Sequence, residues 1–443
     1  MGGIPASAMP RSSDHIHSGS ARPIAAANLS GITSVTLILR KPVSFAPTLA
    51  VLAFGVVVVE ALIATSVLNV VASGGAIGDW IAFYTAGTLI RTGDGVHLYD
   101  VSTQVAAQRV LFGAGNEPFG YTLPAFVAFL FAPLSRLSFA ASWWVWFAVN
   151  LAMLGGLLRL GWGWLRDVQP ALRATFLACA VLSLPALDVL LLGQVDLFVL
   201  AGIAGCYALL RADRPFTAGS VLALALFKPH LAVAAVLLLL VKGQWRALAG
   251  FAAVGGPLLI VPSLLLGPQA LADQVALVAS YPGTATEFRV EAEMMINVRG
   301  MVTSFTGTSD VWMWLPAFAL IAAVGLYLAL RTWASRPALH PQSWALAFAL
   351  PLLYSPHAHA QSMVLLIGAA ALYLAASQSS DRPKVSVEWV LVAFIATTVL
   401  WLVSLAGAAL LVVLVLGAYG LFARRWPETP AAGVAASGSL EAA

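Results

Sequence analysis

"YTLPAFVAFLFAPLSR", Tyr121 to Arg136, decides how the whole chain is read. It is apolar enough to enter a bilayer, yet its 16 residues fall short of the roughly 20 that a crossing helix needs. Pro124 and Pro133 interrupt it, and each proline removes a backbone donor from a helix. If the segment crosses, every later loop changes side. Basic residues arbitrate, because cytoplasmic loops carry an excess of Lys and Arg. Suppose it does not cross. Then Arg11, Arg22, Arg40, Lys41, Arg159, Arg166, Arg173, Arg211, Arg214, Lys242, Arg246, Arg331, Arg336, Arg382, Lys384, Arg424 and Arg425 share the cytoplasmic side, 17 of the 23 basic residues. If it does cross, that bias collapses. Segment 121–136 is therefore expected to be a re-entrant or interfacial element on the outer side. Backbone at that depth needs protein or water around it, so it is expected to wall a cavity.

The surrounding chain supports this frame. Of its 443 residues, 60% are hydrophobic and 9% charged, whereas soluble domains carry about 25% charge. Apolar blocks fall at 44–70, 138–160, 171–190, 195–211, 215–228, 229–242, 245–266, 311–331, 342–356, 359–377, 386–403 and 405–423. The expected fold is an all-α polytopic integral membrane protein with about twelve transmembrane helices, plus interfacial or re-entrant helices on the outer face. This composition disfavours a soluble enzyme. The net charge of +4 comes from scattered residues, so it leaves no nucleic-acid footprint. Cys179 and Cys206 lie inside apolar blocks and read as small apolar side chains, not a disulfide or a metal site. Residues 1–43 read as a disordered cytoplasmic tail without a signal peptide. Residues 44–423 read as the membrane domain, with outer loops at 71–137 and 267–310, and residues 424–443 as a second cytoplasmic tail.

This topology gathers the unusual residues at one face. Charges near a membrane are costly and mark candidate functional sites. In "GDWIAFYTAGTLI", Asp79 precedes a helix whose Trp80, Phe83, Tyr84 and Leu89 suit the membrane surface. Asp79 either caps that helix or offers a general base to an incoming hydroxyl. Asp100, after "HLY", caps the next helix or meets substrate. In "LLLGQVDLFVL", Gln194 and Asp196 either form a solvated turn or meet sugar hydroxyls. Lys228, Pro229 and His230 break a long apolar run. A lysine there suits a phosphate, or it snorkels from a helix end. Arg299, in "EMMINVRGMV", either pairs with phosphate or lies at the surface. His357 and His359, in "LLYSPHAHAQSM", fit phosphate or hydroxyl contact better than metal, since no further Cys or His is near in sequence. No metal site and no cofactor is expected. Neither G-x-x-x-x-G-K-[ST], H-E-x-x-H nor G-x-S-x-G occurs, which argues against an ATP-driven pump or a motif-bearing protease.

Taken in order, "GDWIAFYTAG" with "LYD", "YTLPAFVAFLFAPLSRLSF", "LGQVDL", "AGSVLALALFKPHLAVAAVLLLL" with "QWRALAG", and "YSPHAHAQ" resemble GT-C glycosyltransferases. The closer resemblance is to family 87, the polyprenyl-phosphate-mannose-dependent mannosyltransferase group. Together these pieces cover most of residues 75–375. The chain departs from the family pattern at Thr122 and Leu123, where two prolines usually follow the tyrosine, and at Gln361 and Ser362, where many members carry an acidic residue. The resemblance implies a GT-C helical bundle, an outward-facing cavity, a polyprenyl-phosphate sugar donor and inversion at the anomeric carbon. It maps the family's first-loop aspartate onto Asp79.

The expected reaction moves a hexosyl group, foremost mannosyl, from a polyprenyl-phosphate sugar to a glycolipid or glycan hydroxyl on the outer face of the plasma membrane. Asp79 is the expected base. Lys228, His230, His357, His359 and Arg299 are the candidates for donor phosphate and sugar. Tyr84, Tyr99, Asp100, Tyr121, Gln194, Asp196 and Asn297 are candidate substrate contacts. Membrane lipids are the expected surroundings. The alternative is a polytopic transporter or a flippase of lipid-linked sugars, because buried charges and broken helices also mark substrate paths.

Overall fold

The computed structural model describes residues 46–280, 288, 292–308, 310–377 and 385–402. The expected tails, the span at 405–423, and parts of the loop 267–310 lie outside them. The described residues form helices and no strand. In chain order these are α1 (Ala46–Ala72), α2 (Trp80–Thr92), α3 (Val101–Phe112), α4 (Ala125–Phe131), α5 (Phe139–Trp164), α6 (Pro170–Leu182), α7 (Leu184–Leu192), α8 (Asp196–Arg211) and α9 (Pro215–Leu222). They continue with α10 (Pro229–Val241), α11 (Trp245–Leu266), α12 (Pro268–Ser280), α13 (Val298–Thr306), α14 (Val311–Ser335), α15 (Pro341–Tyr354), α16 (Val364–Ser377) and α17 (Val387–Leu402).

Among the described residues, six stretches are long and apolar enough to cross a membrane: Pro47–Ala72, Phe139–Trp164, Pro170–Leu192, Trp245–Leu266, Val311–Ser335 and Ala360–Ser377. Pro215–Phe227, Pro229–Val241 and Val387–Val399 are shorter apolar helices. The protein is thus a multi-pass helical membrane protein. The expected span 171–190 is divided at Ser183, which leaves the helical conformation before Pro185 in the first turn of α7. The expected spans 195–211 and 342–356 are helices of 16 and 14 residues. Inside α1, Glu60 is 2% exposed and accepts a 2.6 Å hydrogen bond from Thr398 Oγ1 of α17.

Segment 121–136 is a broken element. Only Ala125–Phe131 is α-helical, capped before by Pro124 and followed by a short 3-10 turn at Leu134–Arg136. Seven residues of helix rise about 10 Å, far less than a bilayer core. This element packs under α2, and here the sequence reading needs correction. The apolar face of α2 meets protein, not the membrane surface. Trp80 is fully buried and stacks on Trp146 at 5.8 Å between ring centroids. Phe83 stacks on Phe131 at 5.3 Å, and Phe131 meets Trp146 edge-on at 4.8 Å. Aromatic pairs of this kind contribute about 0.5–1.5 kcal/mol each beyond area burial. Gly87 makes the approach possible, because a Cβ there would stand 2.6 Å from the Phe131 carbonyl. A large apolar core on α8, α10, α15 and α16 lies beside this aromatic one.

Candidate active site

The site is built around one tight turn. Gly193 ends α7 in the left-handed conformation, φ 73° and ψ 27°, which glycine adopts without steric penalty. A Cβ at this position would also press on the Trp80 ring at 3.0 Å. Two indoles grip the turn from α5: Trp143 Nε1 donates to the Leu191 carbonyl at 3.3 Å, and Trp146 Nε1 to that of Gly193 at 2.8 Å. Trp80 Nε1 donates to Ser142 Oγ at 3.2 Å. The turn is thereby fixed against the start of α2, where Asp79 stands.

Asp79 immediately precedes α2 but does not cap it. Its backbone is already helical, φ −66° and ψ −15°, and its side chain makes no capping hydrogen bond. Its carboxylate instead accepts from the Gln194 side-chain amide. Gln194 is 4% exposed. Asp188 of α7 lies near enough for its carboxylate and that of Asp79 to act on each other. Asp79 itself is half-buried.

Two residues beyond Gln194, Asp196 opens α8 with no exposure at all. A buried carboxylate needs a partner for its charge and donors for its oxygens. Lys228 Nζ donates to Oδ2 at 2.7 Å, and Ser362 Oγ to Oδ1 at 2.9 Å. Lys228 stands where the 3-10 turn Ala223–Phe227 gives way to Pro229 of α10. Its ammonium has three donor hydrogens, so the bond to Asp196 leaves capacity for an anion. His230 follows on the first turn of α10 and is exposed.

His357 and His359 lie in the turn after α15, their rings edge to face with centroids 4.7 Å apart. The start of α13 is stitched to this turn. Ile296 N–H donates to the Ala358 carbonyl at 2.9 Å, and Asn297 Nδ2 to that of Ser355 at 2.9 Å. Asn297 Oδ1 also caps α13 by accepting from Gly300 N–H at 3.0 Å. This stitching brings Arg299, 3% exposed and 5.6 Å above the Trp314 ring, towards the histidines. The His357 imidazole is held well below the ordinary histidine range, first by burial and then by His359, Lys228, Arg299 and His230.

The structure therefore joins the expected residues into two groups, Asp79 with Gln194, and Asp196 with Lys228 near His357, His359 and Arg299. Other candidates have structural partners. Tyr84 Oη donates to the Leu137 carbonyl at 2.9 Å, Tyr99 Oη to that of Leu123 at 2.8 Å, and Tyr121 Oη to that of Pro124 at 3.0 Å. Asp100 caps α3, accepting from Thr103 N–H at 2.7 Å and Ser102 Oγ at 2.6 Å. Those bonds hold its carboxyl below the usual range. Ser362 enters the sequence analysis only as a departure from the family pattern; it stands 166 positions from Asp196, and nothing local marks that pairing. Among the described residues, no cluster of three or more His, Cys, Asp and Glu side chains stands where it could hold a metal ion.

A multi-pass helical membrane protein with a half-buried carboxylate held by Gln194 and, two residues on, a buried Asp196–Lys228 ion pair is the class that fold and site define. The sequence model of glycosyltransferase family 87 matches residues 121–356. That match spans more than half of the chain, and the chain belongs to this family. No curated protein and no solved structure matches it.

Proposed function

We propose that this membrane glycosyltransferase moves a hexosyl group, foremost mannosyl, from a polyprenyl-phosphate sugar to a glycolipid or glycan hydroxyl, inverting the anomeric centre. The acceptor oxygen attacks the anomeric carbon as its proton passes to Asp79. The bond from that carbon to the phosphate oxygen breaks, and polyprenyl phosphate leaves with the electron pair. Lys228, with His357, His359, His230 and Arg299, meets the charge that gathers on the leaving phosphate. Donors aimed at developing charge are worth about 2.7–4 kcal/mol each. The observation that carries this reading is the state of Asp79, a carboxylate at a helix start that does not cap its helix and is held by Gln194 instead.

The proposal includes a GT-C bundle of about twelve crossings, tails at 1–43 and 424–443 on the cytoplasmic side, and a site on the outer face of the plasma membrane. The distribution of basic residues supports that sidedness. Single cysteines placed at Thr92 and Ser335 should label from opposite sides, and labelling of both from one side would reject the arrangement. The reaction is tested by incubating purified protein with radiolabelled polyprenyl-phosphate mannose and a membrane lipid extract. A labelled product with inverted anomeric configuration is expected. Label that stays on the donor with every acceptor fraction would reject the reading.

A further inference from the structure

We infer that Gln194 and Asp196 are positioning residues, and that the turn carrying them fixes the base and the phosphate-holding lysine relative to each other. This rests on the reaction proposed above. Gln194 holds the Asp79 carboxylate. Two positions later, Asp196 holds Lys228 Nζ at 2.7 Å and Ser362 Oγ at 2.9 Å. Asp196 is spent wholly on protein groups, and Gln194 gives its side-chain N–H to Asp79 while its Oε1 is buried without a hydrogen-bond partner among the described residues. Asp196 has no exposure and both its oxygens are bonded within the chain, so it does not meet a sugar hydroxyl.

The turn is rigid enough for the task. Gly193 has the one backbone conformation that reverses the chain here, Gln194 N–H bonds back to the Val189 carbonyl at 2.9 Å, and the indoles of Trp143 and Trp146 hold the carbonyls of Leu191 and Gly193. A rigid two-residue spacing transmits position from the Asp79 side to the Lys228 side. Transfer needs the attacking oxygen and the leaving oxygen on opposite faces of one carbon, and small misplacements of such groups are costly in rate. Ser362 extends the same device, because it ties the turn holding His357 and His359 to the carboxylate that holds Lys228.

The two arms of the test separate. Gln194→Leu removes a donor from the Asp79 carboxylate. Hydrogen bonds to charged groups are worth enough that kcat should fall about 10- to 100-fold. The acid limb of kcat/KM against pH should move to higher pH, because a carboxylate that loses a donor is easier to protonate. Donor KM should change little, and Gln194→His, which keeps a donor, should recover part of the rate. Asp188 is the other carboxylate that acts on Asp79, so the limb is also measured in Asp188→Asn to assign it. Asp196→Asn should weaken the binding of polyprenyl phosphate about tenfold or more, with the acid limb unmoved. Ser362→Ala, the milder change, should weaken it less.

If Gln194→Leu raises acceptor KM while the limb stays put, Gln194 is a substrate contact and the inference is wrong. If folded Asp196→Asn and Ser362→Ala both bind polyprenyl phosphate like the wild type, the lysine is not held by this turn, and the inference is again wrong. Binding of polyprenyl phosphate needs no turnover. A wild type that binds it but transfers no mannose would overturn the proposed donor while the binding arm still judges the turn.

Discussion

Asp79 and Asp100 make a pair that differs in one respect. Each stands directly before a helix of the segment between α1 and α5. Asp100 is extended, φ −72° and ψ 122°, and accepts from Thr103 N–H, as a capping residue does. Asp79 is helical and makes no side-chain cap of α2, whose Ile81 N–H bonds to the Gly78 carbonyl at 3.2 Å, and its carboxylate is turned to Gln194. The same side chain in the same sequence position thus has opposite employment. With that N–H met by backbone, the Asp79 carboxylate is not spent on capping, which points to another use. The comparison turns a composition-level clue, an acid before a helix, into a discriminating geometric one.

The sharpest way to break the comparison is Asp79→Asn. Asn caps about as well as Asp, and here there is no side-chain cap to lose. Thermal stability should therefore hold, while turnover at saturating donor falls about 10²–10⁴-fold, the usual cost of losing a general base. A stable variant with near-normal turnover would make Asp79 structural and return it to the class of Asp100. Next in size is Lys228→Ala, which removes the cation bonded to Asp196. Donor KM should rise by at least tenfold and acceptor KM stay within about twofold, since a charge-assisted contact contributes on the order of 1.5–3 kcal/mol. Unchanged donor kinetics in the folded variant would remove Lys228 from the site.

A smaller effect is expected from pH. His357 is held well below the usual histidine value, mainly by burial, so its charged form is disfavoured. As a neutral ring it still donates one hydrogen bond. The proposed donor, a polyprenyl-phosphate sugar, is a phosphodiester whose charge is constant over this range. Its affinity, measured in wild type and in His357→Gln, should therefore be flat from pH 6 to 8. A wild-type affinity that falls as pH rises, absent from the variant, would show an imidazolium holding the phosphate.

What the sequence makes legible follows from what local patterns encode. Apolar blocks and the distribution of Lys and Arg reveal a multi-pass helical protein. Pro124, Pro133 and the shortness of 121–136 reveal a broken element in place of one long helix. Gly193 reveals the turn. Apolar periodicity on α2 reveals a buried face but not what buries it, because lipid and protein are equally apolar to Trp80 and Phe83, and the structure sets them on Phe131 and Trp146. The split at Ser183 is marked only by that serine and Pro185, because both halves are apolar. The site's connections are the least legible. Gln194 reaches Asp79 across 115 positions, and Ser362 reaches Asp196 across 166. No spacing rule spans such distances, so the partners of Gln194 and Asp196 are hidden from the sequence.

The smallest effect tests the other half of the pair. If Asp100 only caps α3, Asp100→Asn should leave both activity and melting temperature nearly unchanged, and Asp100→Ala should cost about 0.5–2 kcal/mol of stability with kcat retained. The pH dependence has a definite sign. Its capping bonds hold the Asp100 carboxyl below its ordinary value, chiefly those from Ser102 and Thr103. A carboxyl depressed in the folded protein stabilises it above the unfolded value, about 3.9, and that contribution is lost as pH falls through the lower folded value. Wild type and Asp100→Asn should therefore show similar melting temperatures from pH 7 down to about pH 4. Below that the wild type should follow acid more steeply, because only its cap is removed by a proton. A large loss of transfer in the stable Asp100→Asn protein would place Asp100 beside Asp79 as a working carboxylate. The contrast between an acid that caps and an acid that is withheld would then fail.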